Sequence, residues 1–301
     1  MKKVLITGAS GLVGRAVSDA LRADGHTVEP LRRASGSADS GSAITWDPAS
    51  GRIDRDRLDG FDAVVHLAGE SIDGRWTAAK RARIRDSRVV GTRLLCETLA
   101  GLNSPPSTLI AASAIGFYGN RGDEVCDESS SAGNGFLADV AERWEATTSP
   151  ALEAGIRTVN LRIGIVLSSR GGALPRMLLP FRLGLGGPVG SGRQYWSWIA
   201  LDDLVGIVRA ALDDRRLIGP VNAVAPGAVR QREFATTLAR LLRRPSFMPL
   251  PAFAVRAMLG EMGDALLLTG AHVVPKKLTE IGFEFRHPDL ASALRAALAE
   301  R

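Results

Sequence analysis

Short apolar runs alternate with stretches in which apolar residues recur at helical spacing along most of the chain. The apolar runs are predicted strands, and they lie at 3–7, 26–31, 43–46, 62–69, 107–114, 156–164 and 219–225. Helices are predicted over about 12–24, 77–100, 135–154, 175–184 and 288–299. Such alternation predicts an α/β fold, with a parallel sheet covered by helices on both faces.

Two parts of the chain depart from this alternation. Residues 171–192 are rich in glycine, and we expect the wider segment 171–198 to form a substrate loop. From about Arg244 the composition shifts to Pro, Met and Leu. We therefore predict a main domain over 1–243 and a small C-terminal substrate subdomain over 244–301. A Ser- and Gly-rich stretch at 34–42 is a predicted loop.

Composition and charge narrow the class of protein. Of the 301 residues, 45% are hydrophobic and 23% charged, which is typical of a globular protein with a sizeable core. The two cysteines offer no bridge or metal spacing, and no run resembles a signal peptide or a membrane span. The pattern predicts a cytoplasmic protein without membrane contact. The net charge of +6 comes from scattered arginines interleaved with acids, which disfavours nucleic acid as a partner.

The sequence "TGASGLVG" follows the first predicted strand and opens the first predicted helix. It places Gly8, Gly11 and Gly14 at the spacing of a dinucleotide-binding loop. In such a loop the glycines permit a tight turn, close approach of the backbone to a pyrophosphate, and close helix–strand packing. We expect Ser10, Leu12 and Val13 to lie against the cofactor as well. The motif refines the fold prediction to a doubly wound sheet of the Rossmann type.

The end of the second predicted strand indicates which dinucleotide is bound. An acidic residue about 20 residues beyond the glycines accepts from the 2′-hydroxyl of NAD, whereas arginine pairs with the 2′-phosphate of NADP. Here the strand ends in Arg32 and Arg33, and the nearest acid, Glu29, lies inside the strand. The two arginines predict NADP (NADPH) as the cofactor.

Beyond the glycine motif, the chain resembles the short-chain dehydrogenase/reductase superfamily of the extended type. More closely, it resembles the atypical, epimerase-like subfamily with its own C-terminal domain, part of the NAD-dependent epimerase/dehydratase superfamily. The likeness covers nearly the whole chain, through "ITWDP", "HLAGE", "SRVVGTR", "SAIGFYG", "GFLADVAERWEA", "LRIGIVL" and "VNAVAP". The long string "LLPFRLGLGGPVGSGRQYWSWIALDDL" is its most specific part.

The resemblance implies further cofactor contacts in the segments that match those of the family. They fall at Asp47, Leu67, Ala68, Gly69, Arg88, Arg162 and Ile165. By this likeness Asp47 contacts adenine, and residues 67–69 pass under the cofactor. Arg88 would reach a ribose or phosphate oxygen, and residues 162–165 would run beside the nicotinamide.

The chain departs from the superfamily where catalysis is expected. Members use a tyrosine as acid/base and a lysine four residues later that holds the ribose and lowers the pKa of the phenol. The matching positions here are Phe136 and Val140, and neither side chain can move a proton. Ser113 is a candidate for the serine partner, although alignment on Tyr118 places the usual serine at Ala114.

Other residues are candidates for the missing proton donor. Tyr118 follows the fifth predicted strand, and Glu70 follows "HLAG", so both are expected at the sheet edge where α/β proteins bind ligands. With Ser113 they form the candidate catalytic set. His66 lies inside an apolar strand and is predicted to be a core histidine.

Aromatic and basic residues in the glycine-rich segment suggest a substrate pocket. Arg193, Tyr195 and Trp198 could stack a ring and pair with an anion, under a roof formed by the loop 184–198. The alternative is packing between the main domain and the C-terminal part. We expect no metal site, because no metal-ligand spacing is present.

Two functions of different classes remain open from the sequence. The first is an NADP(H)-dependent oxidoreductase- or epimerase-like protein that acts on a small carbonyl or sugar-like substrate. The second is a non-catalytic NADP(H)-binding sensor or regulatory protein. The vacant tyrosine and lysine positions favour the second, and the pocket arginines and aromatics favour the first.

Overall fold

The computed structural model describes residues 1–34 and 43–300. Its strands are β1 (Lys3–Thr7), β2 (Thr27–Arg33), β3 (Ile44–Asp47), β4 (Arg52–Ile53), β5 (Ala63–His66), β6 (Thr108–Ala114), β7 (Val125–Cys126), β8 (Arg157–Ile163), β9 (Ile165–Leu167), β10 (Tyr195–Trp196), β11 (Trp198–Ala200), β12 (Gly219–Ala223), β13 (Val229–Arg230) and β14 (His272–Val273). Its helices are α1 (Leu12–Ala23), α2 (Ala78–Ala100), α3 (Phe136–Ala146), α4 (Ser149–Glu153), α5 (Leu174–Arg182), α6 (Leu201–Asp213), α7 (Gln231–Leu242), α8 (Ala252–Leu259), α9 (Glu261–Gly263), α10 (Lys276–Glu280) and α11 (Leu290–Ala299).

Eight strands form one sheet in the order β12-β8-β6-β5-β1-β2-β3-β4. All neighbours are parallel except β4, which pairs antiparallel with β3. The strand order reverses between β1 and β5, and this reversal opens a crevice at the carboxyl ends of the strands. The predicted Rossmann-type sheet is confirmed.

Successive side chains of a strand face opposite sides of the sheet, and each side has its own core. Val4 and Ile6 lie in a cluster with α1, α6, α7 and α11. Leu5, between them, packs in a second cluster with Leu95 and Leu99 of α2. The continuous apolar strands of the sequence are explained by this burial on both faces.

The C-terminal part shares the main core. Leu278, Leu290 and Leu294 belong to the same cluster as Val4 and Ile6. Met262, in α9, packs in a cluster with Trp76, which lies between β5 and α2. The chain beyond 244 therefore completes one face of the main domain and also packs on the segment that follows β5.

The observed helices differ from the predicted helices. The helix predicted over 135–154 is two helices, because the hydroxyls of Thr147 and Thr148 donate to the carbonyls of Trp144 and Glu145 and end α3. The prediction also missed α6 and α7, although both have an apolar face. Most of the loop predicted at 34–42 lies outside the described residues. Within those residues, no helix is both long and apolar enough to cross a bilayer.

Candidate functional site

The glycine loop lies at the strand reversal, directly between β1 and α1. Gly8 has a φ of +68°, and a Cβ there would lie 2.8 Å from the Leu67 carbonyl carbon. A Cβ on Gly14 would lie 2.1 Å from the Gly8 carbonyl oxygen. Side chains at these two positions would thus collide with backbone. The loop follows the end of β5 closely, which is the packing that a dinucleotide cradle requires.

The loop presents uncommitted backbone donors to the crevice. The helix α1 begins after Gly11, whose φ of −74° is ordinary and whose Cβ would lie 3.3 Å from the Gly8 carbonyl oxygen. No side chain caps this helix, and the first-turn N–H groups, which include those of Leu12 and Val13, have no intrahelical acceptor. Ser10 and Gly11 are exposed. Free N–H groups and the positive end of the helix dipole suit a phosphate group.

Arg32 and Arg33 end β2, next to the glycine loop in the sheet order. Both are exposed, and neither side chain makes a hydrogen bond or ion pair to any other residue that the structure describes. Glu29 lies within the strand, and its carboxylate is 3.5 Å from the Lys3 ammonium. At the end of β2, two guanidinium groups are therefore without a partner among the described residues, while the nearest acid, Glu29, is already paired.

Asp47 and Arg88, two other residues predicted to contact the cofactor, already make polar contacts within the protein. The Asp47 carboxylate accepts from the Ser50 hydroxyl at 2.5 Å and from the Ala49 N–H at 3.1 Å, which lowers the pKa of Asp47 and closes the β3–β4 turn. The Arg88 guanidinium lies against Gly69 and donates to the carbonyl of Glu70. Burial lowers the pKa of Arg88 to about 10.

A buried hydrogen-bond chain starts directly before the glycine loop. The Thr7 hydroxyl accepts from the N–H groups of Leu67 and Ala68, so its proton is directed to Nδ1 of His66, at 2.7 Å. His66 Nε2 must then carry the ring proton, which it donates to Thr92 at 2.9 Å. Burial lowers the pKa of His66 to about 4. His66 is thus a neutral core histidine, as predicted.

A second buried network joins three of the residues that the sequence selected. Arg162 and Glu145 form a two-pronged ion pair at 2.8 Å, with side chains 4% and 12% exposed. Ser113 donates to Glu145 at 2.6 Å, and Arg162 donates to the Tyr118 hydroxyl at 2.9 Å. Because Ser113 and Arg162 are register partners in β6 and β8, the sheet itself brings the network together.

The predicted proton donors are engaged in these contacts. Tyr118 is fully buried, its hydroxyl lies 2.7 Å from the Asn222 side-chain oxygen, and burial raises its pKa to about 12. Glu70 accepts from Lys80 at 2.8 Å, and this hydrogen bond lowers the pKa of Glu70, so the carboxylate is charged at neutral pH. Neither group has the pKa near neutrality that general acid catalysis favours.

Phe136 and Val140, which the resemblance matches to the catalytic tyrosine and lysine, take part in packing. Phe136 begins α3 and meets Trp76 edge-on, with ring centroids 5.2 Å apart. The Arg81 guanidinium lies 4.5 Å from the Phe136 ring centroid and pairs with Glu261 of α9 at 3.0 Å. Val140 is 3% exposed. A cavity of about 440 Å³ lies beside Phe136, lined also by Trp76 and by arginines of α2 and α3.

The predicted substrate residues do not converge on one pocket. Arg193 is exposed and lines a separate cavity of about 930 Å³. Tyr195 stacks on His272 with ring centroids 4.3 Å apart. Trp198 is fully buried and donates to the carbonyl of Gly227, so its ring is part of the core. It pairs in register with Ile165, which is half-buried.

The sequence interpretation assigned no role to Glu145, Thr7 or Thr92. A signal for Glu145 was present, because it continues the buried face of α3 that Ala138 and Ala141 form at helical spacing. A charged residue on an apolar face implies a buried partner, and Arg162 inside an apolar strand carries the same implication. Among the described residues, no group of three or more His, Cys, Asp or Glu could hold a metal ion.

Comparisons with known proteins agree with this architecture. An epimerase family protein of Mycobacterium bovis is 44% identical over 293 residues, which are 97% of this chain and 96% of that protein. The crystal structure of human epimerase family protein SDR39U1 with NADPH is 36% identical, with a TM-score of 0.89 over 99% of this chain and 100% of that one. A nucleoside-diphosphate sugar epimerase from Corynebacterium glutamicum is 38% identical, with a TM-score of 0.80, over 99% of this chain and 58% of that one.

Family models match two consecutive parts of the chain. Residues 250–297 match a domain of unknown function. Residues 4–224 match the model of the NAD dependent epimerase/dehydratase family, and this segment contains the glycine loop, all of the parallel sheet except Lys3, and both buried networks. The chain therefore belongs to the NAD dependent epimerase/dehydratase family.

Proposed function

We propose that this protein binds NADP(H) at the strand reversal and functions as a cofactor-binding protein, in which the candidate donors Ser113, Tyr118 and Glu70 are held by partners within the described residues. The observation that carries the proposal is the pair of exposed arginines at the end of β2, whose side chains have no partner within residues 1–34 and 43–300. They lie beside a backbone cradle that a Cβ on Gly8 or Gly14 would fill. NADP differs from NAD by the 2′-phosphate, and guanidinium groups are the preferred partners of phosphate. The human relative crystallised with NADPH supports the same cofactor for this chain.

The buried networks support the view that the protein binds the cofactor without transferring a proton. A binding protein needs its cradle but has no use for a free acid or base. Here Ser113, Tyr118 and Glu70 are each held by a charged or polar partner. Phe136 and Val140 pack where a tyrosine and a lysine would be needed. Such a protein would report or buffer the NADP(H) pool.

A tryptophan-fluorescence titration with NADPH and NADH tests the cofactor. We expect NADPH to bind more tightly, and the double variant Arg32→Ala/Arg33→Ala to lose about tenfold to a hundredfold in NADPH affinity with little change for NADH. The control, Arg93→Ala/Arg215→Ala, removes two exposed arginines elsewhere and should retain the preference. Equal affinity of the parent for the two cofactors, or an undiminished preference in the double variant, would contradict the assignment.

The second candidate is a reductase or epimerase acting on a small carbonyl or sugar-like compound. It is favoured by the cavity beside Phe136, whose aromatic wall and arginine rim could hold a polar ring. The bound nicotinamide would supply hydride transfer. A screen of carbonyl compounds that follows NADPH absorbance separates the two functions. The binding function predicts no turnover. Turnover by the parent that is lost in Gly11→Val would establish that the protein is an enzyme. Turnover that persists in Tyr118→Phe and in Glu70→Gln would exclude both residues as proton donors.

A further inference from the structure

Exposed large apolar side chains are concentrated in one part of the molecule. Of the thirteen that the described residues present to water, seven lie in the short segments 179–185 and 247–253. They are Leu179, Leu183, Leu185, Phe247, Met248, Leu250 and Phe253. Globular proteins usually scatter such side chains singly, and a concentration of them marks a surface that contacts a partner or a membrane.

The two segments run side by side. The Leu250 N–H donates to the carbonyl of Pro188 at 2.8 Å, and the Gly190 N–H donates to the carbonyl of Leu250 at 2.9 Å. Leu179 and Leu183 are four positions apart at the end of α5, so they lie on one face of that helix. The seven side chains therefore lie in one area, and we call them the apolar surface.

The chain around the apolar surface is basic. Residues 174–185 and 240–260 contain six arginines and neither Asp nor Glu. Arg176 and Arg256 are paired with acids of other segments. The remaining four side chains are exposed and make no hydrogen bond or ion pair within the described part of the chain. They are Arg182, Arg240, Arg243 and Arg244.

The backbone stiffens the second of these segments. Arg243 ends α7 with a φ of +54°, in the left-handed region where glycine is favoured at the end of a helix. Pro245, Pro249 and Pro251 follow, and each fixes its own φ on either side of Phe247. The apolar and basic side chains are thus held on a stiff chain, which lowers the entropy cost of binding.

The shape and charge of the apolar surface favour a membrane over a protein partner. The side chains of Phe247 and Phe253 are 69% and 74% exposed, so their rings protrude, whereas a partner helix docks into a groove. A second copy of the chain would bring two sets of unpaired arginines together, and like charges repel. Protruding aromatic and leucine side chains among arginines are typical of proteins that bind the surface of an anionic bilayer.

We propose that the apolar surface and the arginines around it bind a membrane surface that carries anionic lipid headgroups. The apolar side chains enter the boundary between headgroups and acyl chains, and the arginines pair with the headgroups. Because two short segments build this surface, no continuous apolar run marks it in the sequence, and the expectation of no membrane contact rests on such runs alone. NADP(H) binding is not required for the contact.

Cosedimentation of the protein with lipid vesicles tests the proposal. Vesicles of phosphatidylcholine with about one-third phosphatidylglycerol are compared with vesicles of phosphatidylcholine alone. We expect binding to the anionic vesicles, and an affinity about tenfold lower or less for the neutral ones. High salt should weaken the binding to anionic vesicles, because it screens exposed charges.

Two double variants separate the apolar and the electrostatic contributions. Phe247→Ser/Phe253→Ser should weaken binding to the anionic vesicles about tenfold or more, because two rings no longer leave water. Arg182→Ala/Arg244→Ala should weaken it by about tenfold as well. All four side chains are exposed, so circular dichroism should show unchanged folding.

Matched controls remove similar side chains elsewhere on the surface. Leu152→Ser/Ile218→Ser replaces two exposed apolar residues, and Arg93→Ala/Arg215→Ala replaces two exposed arginines. Each control should bind the anionic vesicles within about twofold of the parent. The NADPH affinity of all these surface variants, apart from the arginine control, is measured by fluorescence and should equal that of the parent. Failure of vesicle binding would then leave the NADP(H) assignment standing.

Several results would overturn the proposal. They are absence of binding to anionic vesicles, equal binding to both kinds of vesicle, and equal weakening in the controls. Analytical ultracentrifugation without lipid tests the second copy as the occupant. A dimer that Phe247→Ser/Phe253→Ser dissociates, together with absence of vesicle binding, would assign the surface to self-association. Binding of a polyglutamate peptide in place of vesicles would assign it to an acidic protein segment.

Discussion

Two regions at the carboxyl edge of one sheet differ in whether their arginines are paired within the protein. At the end of β2, Arg32 and Arg33 are exposed, and their side chains have no partner in the part of the chain that the structure describes. They lie beside a loop whose first helical N–H groups have no intrahelical acceptor. At the end of β8, Arg162 is 4% exposed and fully engaged with Glu145 and Tyr118. The guanidinium groups at the end of β2 can therefore still bind a ligand. The guanidinium group of Arg162 is used within the protein, so it stabilises the fold and is not available to a ligand.

The comparison also explains why the family's proton-transfer end can change without loss of the fold. At the positions that the resemblance assigns to the tyrosine and the lysine, Phe136 and Val140 pack against their neighbours, while the nearby polar groups satisfy one another. Buried polar groups that lack a ligand need such internal partners. The cofactor end needs none, since water satisfies its exposed donors.

The largest expected effect comes from breaking the buried ion pair. Arg162→Met leaves the Glu145 carboxylate buried without its cation, and we expect a loss of about 3–5 kcal/mol in the free energy of unfolding. Urea denaturation measures it. Arg143→Ala, which breaks an exposed ion pair with Asp139 in the same helix, should cost about 0.5 kcal/mol or less. Similar losses in the two variants would mean that the Arg162 pair is not structural.

The double variant Glu145→Leu/Arg162→Met tests whether the unpaired charge causes the loss of stability. Removal of both charges should recover at least half of the stability lost by Arg162→Met, because no unpaired charge remains buried. Urea denaturation of the single and double variants gives the comparison. If the double variant is as unstable as Arg162→Met, the loss in the free energy of unfolding comes from altered packing and not from an unpaired buried charge.

An intermediate effect is expected from His66, which lies between the two regions. Its folded-state pKa of about 4 is below the ordinary 6.5, so the unfolded chain binds the proton more readily. Stability from this group is complete above pH 6.5 and is lost as the pH falls toward 4. Between pH 7 and pH 5 we expect a loss of about 2 kcal/mol. His66→Gln, which can still accept and donate, should lack that part of the pH dependence in urea titrations. If the free energy of unfolding of the parent and of His66→Gln changed with pH in the same way, His66 would not be the group responsible.

The smallest expected effect is on the stability of the cofactor end. Arg32→Ala/Arg33→Ala should change the free energy of unfolding of the ligand-free protein by about 0.5 kcal/mol or less, because neither side chain has a partner among the described residues. Thermal or urea denaturation without nucleotide checks this. A loss of several kcal/mol would show that these arginines support the fold and would weaken their assignment to a phosphate.

The sequence alone determined the sheet, the glycine cradle and the two arginines, because each depends on neighbours in the chain. Alternating apolar runs specify strands buried on both faces, and the spacing of Gly8, Gly11 and Gly14 places a loop between a strand and a helix. The position of Arg32 and Arg33 at a strand end follows from the same local pattern.

Only the tertiary structure decided which polar residues are free. Ser113, Glu145 and Arg162 are up to 49 positions apart along the chain, and they meet because β6 pairs with β8 and α3 packs over both. Likewise, Trp198 is core while Arg193, five residues earlier, lines a cavity. Residue type and spacing show that a side chain can pair or react. Burial and partners, which arise from contacts between distant segments, determine whether it does.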